Sequence, residues 1–502
     1  MYRALNDIHR NWPVFMGLCL LLAVWCALDV QRRGRTDPVR EDVHKTDFTV
    51  YTEAGAAFYD GREPYEVTNP RGWGYLYPPL LALLVAPLHV LNPRIQVSIW
   101  FAISCLCAFG CYFETRRLLE FARRGWSNET SSRDSTAPRA DGLWVGWLAM
   151  AAIAFPTLNC LQRGQIGLPQ LYFLLLGFRL VTASVQTGNW RTWSAGGFAL
   201  AVPIVLKLTP LLPVACLLGM LMLPALFRRQ ELPRALWAGA GALCGGFVLV
   251  FAIPALLIGW QSNIDRLGDF QAKVMLKLNN VRGDDFGGEV DSPRNQSLDN
   301  AVYRLGLWLS YKPDIGRDGK PIVWGDRPRI GPLPVVKFAD QLADSINAAL
   351  LAALAGVVVV LAFSRRPLAY GVGFGLACVA SLIVSPVSRG HYFVMLLPAV
   401  LFIPLWLWNL GRRRAARFAA WAPAVLTIFH YLFLNSAGRL GVYGLGIALW
   451  YVAACLLVLP WPAWKRRNRS QTAPFSIAPM SELRPAPSPS IDCERTILST
   501  DL

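Results

Sequence analysis

One recurring unit constrains this chain more than any other feature: an apolar run of membrane-crossing length, closed by a pair or triplet of arginines. Pro13–Val30, Ala235–Ile258, Leu342–Phe363 and Leu440–Leu459 are the clearest runs, each near the roughly 20 residues that carry a helix across a hydrocarbon core. Arg116-Arg117, Arg123-Arg124, Arg228-Arg229, Arg365-Arg366, Arg412 to Arg414 and Lys465 to Arg467 sit just beyond such segments. A net charge of +17 would otherwise point to nucleic acid, but cations in these places are the positive-inside topology signal. Nucleic acid is therefore excluded as the partner. Only 16% of the residues are charged, against about a quarter in soluble domains. The fold class expected is an all-α polytopic membrane protein. Most of the 11 cysteines fall inside apolar segments, Cys19, Cys26, Cys105, Cys107, Cys111, Cys244 and Cys455 among them. They read as small side chains of the bundle, with neither disulfide nor metal spacing.

Placing every arginine cluster on the cytoplasmic side gives a consistent alternation of about twelve transmembrane helices, with both termini cytoplasmic. The first helix, Pro13–Val30, is too long for a signal-peptide core and reads as retained. Two long loops, about 31–93 and 261–340, then face outward. Leu80–Leu91 is apolar but about twelve residues long, a rise of about 18 Å against a core of about 30 Å. It reads as a juxtamembrane or re-entrant helix on the outer side. The expected helices that follow are Arg94–Phe113, Leu143–Leu158, Leu168–Thr182, Trp193–Leu206, Leu211–Phe227 and Ala235–Ile258, then five more ending near Pro462. One transmembrane domain is expected over 1–464. The Ser- and Pro-rich stretch 465–502 reads as a disordered cytoplasmic tail. No internal repeat is evident, which disfavours an inverted-repeat transporter.

With that topology the unusual polar residues collect at the outer boundary: Asp47, Glu53, Arg163, Gln165, Lys207, Asn295, Gln296, Arg389 and His391. Ionisable groups at membrane depth are costly and usually face an interior site. In VPIVLKLTPLLPV, Lys207 stands between two apolar half-helices. It is either a lysine snorkelling to the interface or a fixed cation facing a phosphate at a Pro-broken helix end. His391 in SPVSRGHYF is either a hydrogen-bonded core histidine or, with Arg389, part of an anion-neutralising pair.

Asp47 opens DFTVYTEAG. A loop carboxylate is by default a solvated charge. Here Asp47, Phe48, Tyr51, Ala54 and Gly55 fall on one face of a short helix lying against the membrane. A carboxylate on a packed face is held still and partly desolvated, as a general base requires; Glu53 and Asp42 are weaker rivals. Asn295-Gln296-Ser297 is either a glycosylation sequon or, with Arg304 nearby, a loop presenting polar groups to a ligand. No Walker loop, metal-binding His/Cys spacing, HExxH, GxSxG or Asp-x-Asp motif occurs. A transporter or flippase of lipid-linked sugars would also need intramembrane polar groups and stands as the rival from another class.

Taken in order, these stretches resemble glycosyltransferase family 87 of the GT-C superfamily, the polyprenyl-phosphate-mannose-dependent mannosyltransferases. The matching pieces are Asp47-Phe48 with Tyr51, Ala54-Gly55, Gly61 and Pro64-Tyr65, then Tyr77-Pro78-Pro79 with Ala86-Pro87-Leu88. Gly164-Gln165, Lys207 to Pro210, Asn295-Gln296-Ser297, Ser385-Pro386 and His391 follow. Two positions depart from the pattern: Gly167 stands where the family carries Asn, and Arg389 where it carries an aromatic. The resemblance implies a GT-C fold, a polyprenyl-phosphate sugar donor, and a lipid or glycan acceptor at the outer (periplasmic) face of the cell membrane. It implies Asp47 as the catalytic base of an inverting transfer, most directly of mannose, and Lys207, His391 and Arg389 as holders of the lipid phosphate. Asn295, Gln296, Gln165 and Tyr77 are the other substrate-binding candidates, and the helix after Tyr77 would line the groove for the polyprenyl tail. No metal or cofactor is expected, the lipid-linked sugar being a substrate. A GT-C enzyme for a different lipid-linked sugar is the nearer alternative.

Overall fold

Proline and glycine punctuate the apolar runs, and helices form between them. In the computed structural model the described residues are 20, 24–32, 34, 44–69, 74–130, 143–183, 189–276, 295–302, 333–364, 366–433 and 441–459. Asp42, Arg304 and the expected tail 465–502 lie outside them. Residues 24–32 are helical, within the expected first crossing. Then come α1 (Phe48–Tyr59), α2 (Pro79–Val85, running into a 3-10 turn over Ala86–Val90), α3 (Pro93–Thr130), α4 (Leu143–Arg163), α5 (Gly167–Ala183), α6 (Trp190–Leu206) and α7 (Leu211–Ala225). A π turn over Val248–Ala252 joins α8 (Leu232–Phe247) to α9 (Ile253–Ile258), and α10 (Trp260–Phe270) follows. The C-terminal helices are α11 (Leu333–Ala362), α12 (Pro367–Val384), α13 (Leu397–Asn409, entered through a 3-10 turn over Gly390–Leu396), α14 (Arg413–Leu432) and α15 (Val442–Val458).

Each apolar run expected to cross is helical where it is described. Among the described residues five segments are long and apolar enough to span a membrane: Pro93–Glu120, Val145–Arg163, Arg229–Ile258, Gln341–Ala362 and Gly390–Asn409. Shorter apolar helices, Gly167–Thr182, Leu211–Ala225, Leu368–Val384 and Val442–Val458, pack among them. The chain is a helical, multi-pass membrane protein.

Three expectations need correction. The expected loop 261–340 carries structure at both ends, because α10 begins at Trp260 and α11 at Leu333. In α10 the side chains Asn263 and Phe270 are buried while Trp260 and Ile264 are exposed, an amphipathic pattern that a search for uniformly apolar runs passes over. Second, α3 runs past its expected end at Phe113 to Thr130, so Arg116-Arg117 and Arg123-Arg124, beyond the apolar run, still lie within the helix. Glu114 compensates part of that charge, accepting from Arg117 at 2.9 Å and from Arg179 of α5. Third, α1 is not a one-sided helix on a lipid surface. Of its 12 residues, nine are buried, with α2 against it.

That burial has a local cause. Gly55 faces the backbone carbonyl of Ala82 and the Cβ of Ala86, where any side chain would collide. The helices therefore approach at backbone contact, as small residues permit in membrane bundles. Around the junction sits an aromatic cluster of Phe48, Tyr51, Phe58, Tyr75, Tyr77 and Trp100. Phe48 stacks on Trp100 with centroids 4.8 Å apart, and Tyr51 meets Tyr77 edge-on at 5.1 Å.

Candidate functional site

The C-terminus of α4 builds one half of the site. Arg163 ends the helix and Gly164 follows with φ +67°, in the left-handed region that glycine adopts freely. The Gln165 N–H returns to the Cys160 carbonyl at 3.0 Å and the Gly164 N–H to Leu161 at 3.4 Å. These are the paired bonds of a Schellman cap. The turn exposes the Arg163 carbonyl, which accepts from the Asp47 N–H at 3.0 Å. It also sends the Gln165 side-chain amide to Asp47 Oδ2 and sets Arg163 Nε 3.8 Å from the same oxygen. Trp100 Nε1 donates to the Gly164 carbonyl at 2.9 Å, and the Phe48 Cβ packs where a Gly164 Cβ would sit, 2.9 Å away.

Asp47 occupies the N-cap position of α1 but its side chain makes no capping bond. It is 7% exposed and turned to the α4 cap instead. Behind it Tyr51 Oη donates to Tyr77 Oη at 3.2 Å. Burial, then each other's nearness, pushes the Tyr51 hydroxyl well above its ordinary range; burial and the nearby Tyr392 do the same to Tyr77. Both stay neutral donors. Glu53, the rival carboxylate, is exposed and pairs only loosely with His89 at 3.8 Å.

The other half comes from the break between α6 and α7. Pro203 lies inside α6 and Pro210 precedes α7, so the helical ladder fails between them. Lys207 is extended there, with φ −167° and ψ 136°. Gln170 of α5 donates to the Lys207 carbonyl at 3.2 Å and to the Pro203 carbonyl at 2.9 Å, which also accepts from the Lys207 N–H, and so braces both sides of the break. The ammonium lies 3.5 Å from the centroid of the Tyr392 ring and 5.3 Å from that of Tyr77, a cation–π clasp.

Asn295 and Gln296 act on protein in this structure. Asn295 donates to the Pro386 carbonyl at 3.0 Å and accepts from Ser388 N at 2.8 Å and Ser297 N at 3.1 Å. Gln296 N donates to the Ser388 carbonyl at 2.6 Å, and its side-chain oxygen accepts from Gly444 N. Together they fasten the Pro386–Arg389 turn and so set the entry of the segment carrying Arg389 and His391. His391 is 1% exposed, and neither ring nitrogen has a hydrogen-bond partner among the described residues. Arg163, Lys207 and Arg389 all stand close enough to act on that ring electrostatically. Gly167, the departure noted above, opens α5 against Cys160 Sγ and Val394; Cys160 in turn donates to the His391 carbonyl at 3.2 Å. A small pocket, no larger than a water or so, is lined by Gln165, Gln170, Lys207, His391 and Tyr392 among others.

The structure thus brings together Asp47, Gln165, Tyr77, Lys207, Arg389 and His391 from segments far apart in the chain. Arg163 and Tyr392 belong to the group; Arg163 stood among the boundary polar residues of the sequence without a role, and Tyr392 was not singled out. Each is an immediate neighbour of a residue or motif that was. Among the described residues no group of three or more His, Cys, Asp or Glu side chains gathers as metal ligands would.

Residues 75–386 match the sequence pattern of glycosyltransferase family 87. The chain belongs to that family. This family 87 glycosyltransferase is 23% identical over 410 residues (78% of its length, 74% of the relative) to the polyprenol-phosphate-mannose-dependent alpha-(1-2)-phosphatidylinositol pentamannoside mannosyltransferase of Mycobacterium tuberculosis (strain CDC 1551 / Oshkosh). It is 25% identical over 429 residues (83% and 80%) to the polyprenol-phosphate-mannose-dependent alpha-(1-2)-phosphatidylinositol mannoside mannosyltransferase of Mycolicibacterium smegmatis (strain ATCC 700084 / mc(2)155). Among solved structures, ArnT from Cupriavidus metallidurans bound to undecaprenyl phosphate aligns with 88% of this chain and 77% of its own, at 15% identity and a TM-score of 0.40.

Proposed function

We propose that this family 87 enzyme is an inverting transferase that moves mannose from a polyprenyl-phosphate carrier to a hydroxyl of a lipid or glycan acceptor, at the outer face of the cell membrane. The observation that carries the reading is the meeting of one carboxylate with a group of cations: Arg163 faces Asp47, Lys207 lines one pocket with His391, and Arg163, Lys207 and Arg389 all act electrostatically on the His391 ring. A base beside an anion cradle is what displacement of a phosphate leaving group requires. The relatives' dependence on polyprenol-phosphate mannose supports the choice of donor. The arginine clusters support the outward placement.

In this mechanism Asp47 takes the proton of the acceptor hydroxyl as its oxygen attacks the anomeric carbon. The bond between that carbon and the phosphate oxygen breaks, its electron pair leaving with the lipid phosphate. The sugar's configuration is inverted. Lys207, Arg389 and Arg163 meet the charge that develops on the departing phosphate, and the His391 ring has an N–H to give it. Gln165 holds Asp47 in place, and Tyr77 fixes one wall of the cation site. The lipid-linked sugar is itself the substrate, and the reading takes no cofactor or metal.

The test is transfer by purified enzyme in liposomes supplied with polyprenyl-phosphate mannose and a membrane lipid extract. Wild type is expected to transfer sugar, and Asp47→Asn to lose it by roughly 10²–10⁴-fold, the span of general-base catalysis, while still binding donor. Undiminished transfer by Asp47→Asn would overturn the mechanism. Carrier movement across the bilayer without any transfer by wild type would favour a flippase. Asp60→Cys, at an exposed position of the first outer segment, is expected to react with an impermeant thiol reagent added outside; protection would invert the topology.

A further inference from the structure

Two helices that supply nothing to the cation cradle except Arg163 carry a second set of unused polar atoms. Phe155, Asn159 and Arg163 fall four residues apart on α4, and so lie one above another on one face. Facing them, Tyr431 of α14 stacks on Phe155, centroids 5.0 Å apart and planes 17° from parallel. Phe155 is 36% exposed, and the neighbouring Phe429 and Leu432 are exposed as well, so this seam opens toward the apolar surroundings of the bundle.

Deeper in the seam two atoms stand without partners. Asn159 Oδ1 and Tyr431 Oη are each buried and make no hydrogen bond among the described residues. Both belong to half-buried side chains, so a group entering between the helices reaches them before bulk water does. Buried polar atoms are paired in most proteins, and an unpaired pair calls for a ligand or another stated cause. Tyr431 Oη rests against Gly390, where a Cβ would come within 2.7 Å of it, and Arg163 and Cys160 act on the same phenol electrostatically. The seam therefore leads from the apolar exterior, past an aromatic face, to the carboxylate's own arginine.

We propose that the α4–α14 seam receives the hydroxylated ring of the acceptor, with Phe155 and Tyr431 as its aromatic wall and Asn159 Oδ1 and Tyr431 Oη as its hydrogen-bonding groups. An amide oxygen accepts only and a phenol both donates and accepts, a pairing that suits a polyol. The apolar mouth suits an acceptor anchored by a lipid chain. The inference rests on the glycosyl-transfer reading above and adds to it which class of acceptor is chosen, and where.

The experiment compares wild type, Tyr431→Phe and Asn159→Leu in liposomes, with polyprenyl-phosphate mannose as donor and an alkyl mannoside as acceptor. Tyr431→Phe keeps the stacked ring and removes only the oxygen, so its fold is preserved. Each variant is expected to raise the acceptor KM about tenfold, the scale of one hydrogen bond to a buried group. Donor KM and the slow transfer of mannose to water without acceptor are expected to stay within about twofold. An unchanged acceptor KM in Tyr431→Phe, or a donor KM that rises in parallel, would overturn the seam while leaving donor and reaction in place. No transfer by wild type would overturn the donor assignment, and the seam with it.

Discussion

Lys207 holds its ammonium 3.5 Å from the centre of the Tyr392 ring, with Tyr77 on a second side at 5.3 Å. Aromatic faces keep the cation in place without spending its charge on a carboxylate. Lys207→Met is expected to lower kcat by roughly 10²–10³-fold, as loss of one preorganised charge-stabilising group does, with the melting temperature little changed. Steady-state kinetics at saturating donor, alongside a thermal melt, checks both.

Gln165 reaches Asp47 through its amide nitrogen, the atom that fixes the carboxylate's direction. Gln165→Leu keeps the volume and removes the tie. Its kcat is expected to fall by about 10²-fold, the cost of a reacting group displaced by about an ångström, with donor KM nearly unchanged. A drop in donor affinity alone would place Gln165 on the substrate.

Gly164 is left-handed and tight against Phe48. Gly164→Ala pays about 1–2 kcal/mol for the backbone alone, before the Phe48 contact is counted. Lower thermal stability and lower kcat are expected together in this variant. Loss of one without the other would separate the turn from the carboxylate it positions.

Asn295 serves three backbone groups at once. Asn295→Ala leaves buried donors and an acceptor unmet, at about 1–3 kcal/mol for each group not rescued by water. Reduced stability is expected, with a raised donor KM as the Arg389 segment loosens. If donor KM stays put while stability falls, the turn does not govern the phosphate end.

Glu63 binds the segment after α1 to α10 and the turn after it. It accepts from Arg266 at 3.2 Å and Lys273 at 2.8 Å. Burial raises its pKa, but the Lys273 bond, the Tyr65 N–H and the Arg266 charge together bring it below the ordinary 4.5. A depressed carboxylate stabilises the fold fully above its unfolded pKa, and that share is lost as pH falls through the folded value. Wild type is therefore expected to melt above Glu63→Gln by a constant margin near neutrality. The margin should shrink as pH drops below about 4.5. A margin indifferent to pH would show that the contribution is packing.

How much of this was legible in the sequence follows from which signals are local. Apolar length and arginine position are written residue by residue, so α4 to α9 and α15 lie close to where the runs place them. Asp47 and Lys207 were legible because a charge inside an apolar frame demands a reason. α10 was not: its pattern alternates within a polar stretch, and only the partner surface at Glu63 and Tyr65 tells which face is inside. The burial of α1 escaped for a similar cause, since the Gly55–Ala82 approach joins segments whose contact no periodicity announces. Arg163 and Tyr392 were visible as letters, yet their membership in the site depends on the turn at Gly164 and the extended Lys207.

In the proposed mechanism the tie between Asp47 and the cap of α4 makes a membrane-length helix the ruler for the reaction. Three contacts to Asp47 come from residues 163 and 165, so the height of the carboxylate is counted in turns of α4 and not in loop residues. One residue inserted within α4 would lift its end by about 1.5 Å and swing it by about 100°. A change in loop length leaves that height untouched, and a change within α4 moves it; in the proposed mechanism its residue count is as much a part of the chemistry as the carboxylate it positions.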